Sequence, residues 1–138
     1  MENKKLRVCI IGAGFITGTQ HIPAINKLKD RLEDALIHLA KTYGIKNIYT
    51  DPMEMLDKEK PDLVHVCTAN NTHKHFTIEA LRRGANVLCE KPLALTLRDA
   101  QEMLAEAKKA GKLLMTCQNS RIGAVQEMKK IVDSQELG

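Results

Sequence analysis

Short apolar runs alternate along the chain with segments of helical period, the pattern of βα units wound around a parallel sheet. The first run, Leu6-Arg7-Val8-Cys9-Ile10-Ile11, reads as a strand and passes directly into Gly12-Ala13-Gly14 and a helix over 15–28, kinked or restarted at Pro23. Leu32, Leu36, Leu39 and Tyr43 recur at spacings of three and four, which predicts a second helix over 32–43 with Gly44 to end it. After a short extended piece at 47–50, Asp51 before Pro52 has the form of an N-cap and a helix-starting proline, and one or two turns should follow over 52–57. The run 62–67 predicts a buried strand, 72–83 a helix closed by Gly84, and 86–90 another strand. Thr96 can cap a helix Leu97–Ala110 whose inward stripe is Ala100, Met103, Leu104 and Ala107, with Gly111 to stop it. A last strand at 112–117 precedes an amphipathic helix over 122–134 with Val125, Met128 and Val132 on one side.

Composition narrows the function classes. At 138 residues the chain is expected to form one domain over 1–120, with 121–138 leading onward as a helix. A hydrophobic fraction of 43% and a charged fraction of 28% are those of an ordinary soluble domain, and no apolar run approaches the ~20 residues of a membrane span. The opening apolar run is too short for a signal-peptide core, so a cytoplasmic protein is expected. The net charge of +4 comes from 21 basic and 17 acidic residues that are scattered, and two Phe, two Tyr and no Trp offer no platform for bases; nucleic acid is not implied. Cys9, Cys67, Cys89 and Cys117 each fall in or at the end of a predicted strand without CxxC spacing, which reads as small thiols in a reducing compartment rather than a metal site.

Three segments carry candidate chemistry. Gly12-Ala13-Gly14-Phe15-Ile16-Thr17-Gly18 lies at a strand-to-helix junction, where glycines let backbone amides at a helix start approach a pyrophosphate; a tight turn without nucleotide is the plainer reading of the motif alone. The third glycine of G-x-G-x-x-G is replaced by Thr17, with Gly18 one residue late. Thr68 and Asn70 follow the central strand at its carboxyl end, where open α/β sheets bind ligands, although capping by Asn70, Asn71 or Thr72 would explain the same residues. His73 reads as a solvated first-turn residue. Glu90-Lys91-Pro92 ends the next strand: the Lys91 ammonium could orient a substrate hydroxyl or stabilise an alkoxide while Glu90 holds it, and a surface ion pair is the alternative. All three segments fall at one edge of one predicted sheet.

With His21-Ile22-Pro23-Ala24 and the Gln118-Asn119 pair at the end of the last strand, these motifs stand in an order that resembles the Gfo/Idh/MocA oxidoreductases, over nearly the entire chain. The resemblance implies an α/β fold with a Rossmann-type doubly wound parallel sheet, and NAD or NADP as cofactor. It implies that Gly12, Gly14, Phe15 and Ile16 contact the cofactor backbone, that Thr68 and Asn70 line its ribose and nicotinamide side, and that Glu90 and Lys91 belong to the active site. Gln118 and Asn119 would lie near the nicotinamide or a domain hinge. The implied substrate is a sugar, cyclitol or related polyol, and a homo-oligomer is expected. A cofactor-sensing or non-catalytic binding module is the rival function, and a purely structural or oligomerisation role the third.

Two departures from the family pattern stand out. The second strand after the glycine turn is missing from the pattern, because 28–34 passes directly into the helix predicted over 32–43. Either residues have been lost around 31–35 or the sheet has one strand fewer. Counting about 20 residues from the glycines lands on Glu33 or Asp34 as a ribose-binding acid; the assignment is rejected because no apolar run would set that carboxylate at a strand end. The chain also stops at Gly138, before the α+β domain that the family adds, so residues 1–138 alone are expected to show little or no turnover.

Overall fold

A computed structural model describes residues 5–12, 32–36, 45–118 and 124–134. The described strands are β1 (Leu6–Ile11), β2 (Leu32–Leu36), β3 (Leu63–Val66), β4 (Asn86–Cys89) and β5 (Leu114–Thr116). The helices are α1 (Pro52–Glu59), α2 (His73–Arg82), α3 (Leu97–Ala110) and α4 (Ala124–Asp133), with a 3-10 turn Asn70–Thr72 leading into α2. All strand pairs are parallel, in the order β2-β1-β3-β4-β5. This is the doubly wound α/β arrangement that the apolar runs predicted, and the strand order reverses between β1 and β3.

The second strand is present, which corrects the sequence reading. Residues 32–36 form β2 on the open side of β1, with Leu6 opposite Leu32 and Ile10 opposite Leu36, where a helix over 32–43 was predicted. The three-and-four spacing of leucines is compatible with either structure over so short a stretch. The backbone groups along that side of β1 require partners, and pairing overrides local periodicity. The register also answers the question of the ribose acid. Glu33 and Asp34 lie opposite Arg7 and Val8, in the amino half of β1 and well before Gly12. A strand therefore exists, contrary to the reason given for rejecting them, but it does not set either residue at the carboxyl edge. The predicted helix over 15–28 and the remainder of the 32–43 prediction lie outside the described residues.

The core grows from the middle of the sheet. Val8 to Ile11 are all buried, as a strand covered on both faces should be, and Val64, Val66, Val87 and Cys89 continue the layer. Met55 and Leu56 of α1, Ala80 and Leu81 of α2, and Met103 and Ala107 of α3 pack against it. Leu104, assigned from its spacing to the inward stripe of α3, is instead 53% exposed, because the buried face of that helix is narrower than the stripe.

Local chemistry sets the helix ends largely as read. Asp51 accepts a bond from the Met53 amide at 2.8 Å with Pro52 in the first turn, and α1 ends at Lys60 in the left-handed region. Thr96 Oγ1 accepts from the Asp99 amide at 3.1 Å and donates to Asp99 Oδ2 at 2.7 Å, and Gly111 closes α3 at φ +63°.

Candidate functional site

Because every strand is parallel, all carboxyl ends meet along one edge, and short main-chain bonds hold the segments that leave it. The Cys67 amide donates to Ile11 O at 2.8 Å, the Glu90 amide to Val66 O at 2.9 Å, and the Cys117 amide to Cys89 O at 2.7 Å. Gly12, Thr68, Glu90, Lys91 and Gln118 therefore leave the same rim. Gly12 and Thr68 flank the point of strand-order reversal, where α/β sheets open a crevice for ligands.

Gly12 is required by the packing. Its φ is +99°, and a Cβ built there would meet Cys67 O at 2.6 Å, the Cys67 carbonyl carbon at 2.7 Å and the Thr68 amide nitrogen at 2.9 Å. Those contacts are backbone, so nothing can swing aside. The absent side chain lets the exit of β1 lie directly against the exit of β3. Such bare, closely approached backbone fits a dinucleotide's pyrophosphate. Gly14, Phe15 and Ile16, the other predicted contacts of the glycine turn, lie outside the described residues, as do His21-Ile22-Pro23-Ala24 and Asn119.

Capping does not account for Asn70 and its neighbours. Neither the 3-10 turn nor α2 has a side-chain cap bond, and Asn70 is exposed. Thr72 Oγ1 lies 2.7 Å from both Thr68 Oγ1 and Ala69 O, which fixes the Thr68 hydroxyl at the rim.

At the next corner, the Lys91 amide donates to Glu90 Oε2 at 3.1 Å, and the Lys91–Pro92 peptide is cis. The Lys91 side chain is exposed and forms no ion pair within 4.0 Å among the described residues, so the surface-pair alternative is not realised. Glu90 grips the main chain of Lys91 rather than its ammonium. The same carboxylate faces Cys117: burial first, then the charge and hydrogen bond of Glu90, push that thiol's pKa up. His65, Glu90 and Cys117 bring donor atoms within 4.8 Å of one another, and the thiol-to-carboxylate bond links two of the three. Burial also pushes the Cys89 thiol up to about 11. None of the four cysteines forms a disulfide among the described residues.

His73 corrects the sequence reading. It is fully buried, not solvated, with Nδ1 2.8 Å from Pro92 O and Nε2 3.2 Å from Thr68 O. The signal was available in the sequence: His73, Thr77, Ala80 and Leu81 are spaced as one helix face, and all four are buried.

A family model, "Oxidoreductase family, NAD-binding Rossmann fold", matches residues 6–118. D-glucoside 3-dehydrogenase of Escherichia coli is 39% identical over 123 residues, covering 83% of this chain and 35% of that protein. Myo-inositol 2-dehydrogenase of Thermotoga maritima is 33% identical over 141 aligned positions, covering 96% of this chain and 41% of that protein. Since 141 positions exceed the 138 residues here, that relative carries residues inside the matched stretch which this chain lacks. Among solved structures, the WlbA dehydrogenase of Bordetella pertussis, in complex with NADH and UDP-GlcNAcA, superposes with a TM-score of 0.88 at 26% identity, over 98% of this chain and 44% of that one. The chain thus spans less than half the length of the relatives it matches. It belongs to the Gfo/Idh/MocA oxidoreductase family, as its NAD-binding Rossmann domain.

Proposed function

We propose that the chain forms the cofactor-binding half of an NAD(P)-dependent oxidoreductase that moves hydride between a nicotinamide and a carbinol carbon of a sugar, cyclitol or related polyol. The observation that carries this reading is the meeting of Gly12, Thr68, Asn70, Glu90 and Lys91 on one carboxyl rim at the strand-order reversal. The bound nicotinamide would supply the hydride acceptor or donor. Gly12, with Gly14, Phe15 and Ile16, presents backbone to the pyrophosphate, while Thr68, Asn70 and Gln118 line the ribose and nicotinamide side. The exposed Lys91 ammonium orients the reacting oxygen and stabilises it as negative charge develops. Glu90 sets the start of that corner through the Lys91 amide. The general acid or base is assigned to a residue outside this chain, and residues 1–138 alone should show little or no turnover.

Sugar and cyclitol dehydrogenases among the relatives support the substrate class. Self-association belongs to the same reading, supported by Leu113 and Met115, exposed at 75% and 65% on the edge formed by β5. No helix among the described residues is long and apolar enough to cross a membrane. Titration with NADH tests the cofactor site, and NAD(P)-dependent oxidation of myo-inositol and D-glucosides by the protein at its native length tests the reaction. Saturable NADH binding with polyol oxidation that Lys91→Met abolishes is the expected result. Binding without oxidation of any polyol would indicate a sensing module, and no binding of either dinucleotide would end the reading.

A further inference from the structure

We infer that His73 is a positioning residue that fixes the distance between the cofactor-lining segment after β3 and the corner carrying Lys91. The inference rests on the nucleotide reading above, and adds to it a residue that touches neither cofactor nor substrate.

The geometry is specific. Segments 67–69 and 90–92 leave neighbouring strands, and their main-chain bonds to the sheet end at the Glu90 amide. Beyond that point the path of Lys91-Pro92 needs another restraint. His73, the first residue of α2, stands between the two segments with a ring nitrogen facing a carbonyl oxygen on each: Pro92 O at 2.8 Å and Thr68 O at 3.2 Å. A ring nitrogen bonds a carbonyl only where it carries hydrogen, and the shorter contact assigns the donor to Nδ1, donating to Pro92 O, while Nε2 packs against Thr68 O. The ring is fully buried, so Pro92 O could not exchange this donor for water without opening the core. The helix behind the ring is anchored in turn, because Lys74 pairs with Asp99 at 2.7 Å and Glu102 at 2.5 Å on α3. A rigid ring on a rigid helix thus sets where Lys91 begins relative to Thr68. An error of one ångström there would separate the ammonium from the nicotinamide without disturbing the glycine turn.

The test splits the cofactor in two. NADH engages both the glycine turn and the 68/91 corner, whereas ADP-ribose lacks the nicotinamide and depends on the turn. In the intact 138-residue chain, His73→Phe should weaken NADH about tenfold while leaving ADP-ribose within about twofold. His73→Asn, which keeps a donor where Nδ1 stands, should recover NADH affinity to within about threefold. His73→Gln, whose amide reaches to the Nε2 position instead, should behave like Phe; the Asn and Gln pair decides the matter if the Phe variant does not fold. Equal weakening of both ligands, no weakening of either, or equal behaviour of Asn and Gln overturns the inference while leaving the nucleotide reading intact. A wild-type chain that binds neither ligand overturns both, and one that binds them equally well removes the nicotinamide contact that His73 is held to position.

Discussion

At the amino ends of the strands, side chains stitch the sheet shut; at the carboxyl ends, they are held ready but turned outward. On the amino side, Asp62 Oδ2 accepts from the Arg7 amide at 2.9 Å, the Asp62 amide donates to Arg7 O at 2.9 Å, and Asp62 O takes both the amide and the side-chain Nδ2 of Asn86 at 3.0 Å. Asn86 Oδ1 then accepts from the Leu113 amide at 3.0 Å, and the Arg7 guanidinium reaches Glu59 O, so four strand entries and α1 are joined in one chain of bonds. At the carboxyl rim, by contrast, Asn70 and Lys91 are exposed, the 3-10 turn and α2 start without side-chain caps, and Glu90 and His73 each hold main chain. Polar groups at one edge therefore complete the fold, while at the other they hold backbone segments in place and leave neighbouring side chains available. Substitutions at the two edges should separate stability from binding.

The largest effect should come from Gly12→Ala. The new methyl would lie 2.6 Å from Cys67 O at φ +99°, whereas Gly111→Ala at φ +63° meets nothing within 4 Å. Ala at Gly111 should cost about 1–2 kcal/mol for left-handed backbone alone. At Gly12 the clash adds to the strain, and a loss of at least about 3 kcal/mol is expected in urea unfolding. Equal losses would mean that β1 and β3 exits can move apart, and the rim would lose its rigid centre.

Next in size, Asp62→Ala should destabilise by about 1–2 kcal/mol, since it leaves the Arg7 amide without its acceptor, and should leave NADH affinity unchanged. Asp62→Asn, which keeps an acceptor oxygen, should recover most of that. Lys91→Met should do the reverse, with stability within about 0.5 kcal/mol of wild type because its exposed side chain pairs with nothing described, and NADH affinity lowered. If Lys91→Met destabilises more than Asp62→Ala does, the division between the two edges fails.

The same division governs what could be read from the sequence. β1 and α3 were legible to the residue, because a run of six with five apolar positions and a Thr96-to-Gly111 frame admit few alternatives. β2 was not. Its Leu32-Glu33-Asp34-Ala35-Leu36 has no apolar run of its own and is a strand only because β1 offers an unpaired side. At the rim, Gly12, Thr68, Glu90 and Lys91 could be assigned to one edge because parallel topology dictates where strand exits go. The internal bracing could not be read. That Glu90 would hold the amide of Lys91 instead of its ammonium, and that His73 would stand between two carbonyl-bearing segments, depend on distances no local pattern encodes.

A smaller effect concerns Cys117. Glu90 raises its pKa by charge and hydrogen bond, after burial, so Glu90→Gln should lower it and expose more thiolate at a given pH. Alkylation of Cys117 by iodoacetamide at pH 8 should run about threefold or more faster in the variant. Cys89, whose pKa is raised chiefly by burial, should stay slow in both proteins. An unchanged Cys117 rate would show that the carboxylate is directed elsewhere, and would weaken the picture of Glu90 as a fixed element of the rim.

The smallest effect should be seen where α2 and α3 meet behind the rim. Hydrogen bonds to Lys74 hold the Asp99 and Glu102 carboxyls below their usual range, and those same two bonds hold the Lys74 ammonium above its own. For the carboxylates, the stabilisation is present above their ordinary range and is lost as pH falls through the lowered folded values. For Lys74, it is present below the ordinary lysine value and is lost as pH rises through the raised one. The thermal midpoint of wild type should therefore exceed that of Lys74→Met between about pH 5 and pH 10, with the two converging at both extremes. Solvent screens these partly exposed groups, so the difference should be the least of those above and should shrink further in molar salt. A difference that persists once acid has protonated both carboxyls would show that the Lys74 stem contributes by packing on α3. The bracing of the helix that carries His73 would then be apolar rather than ionic.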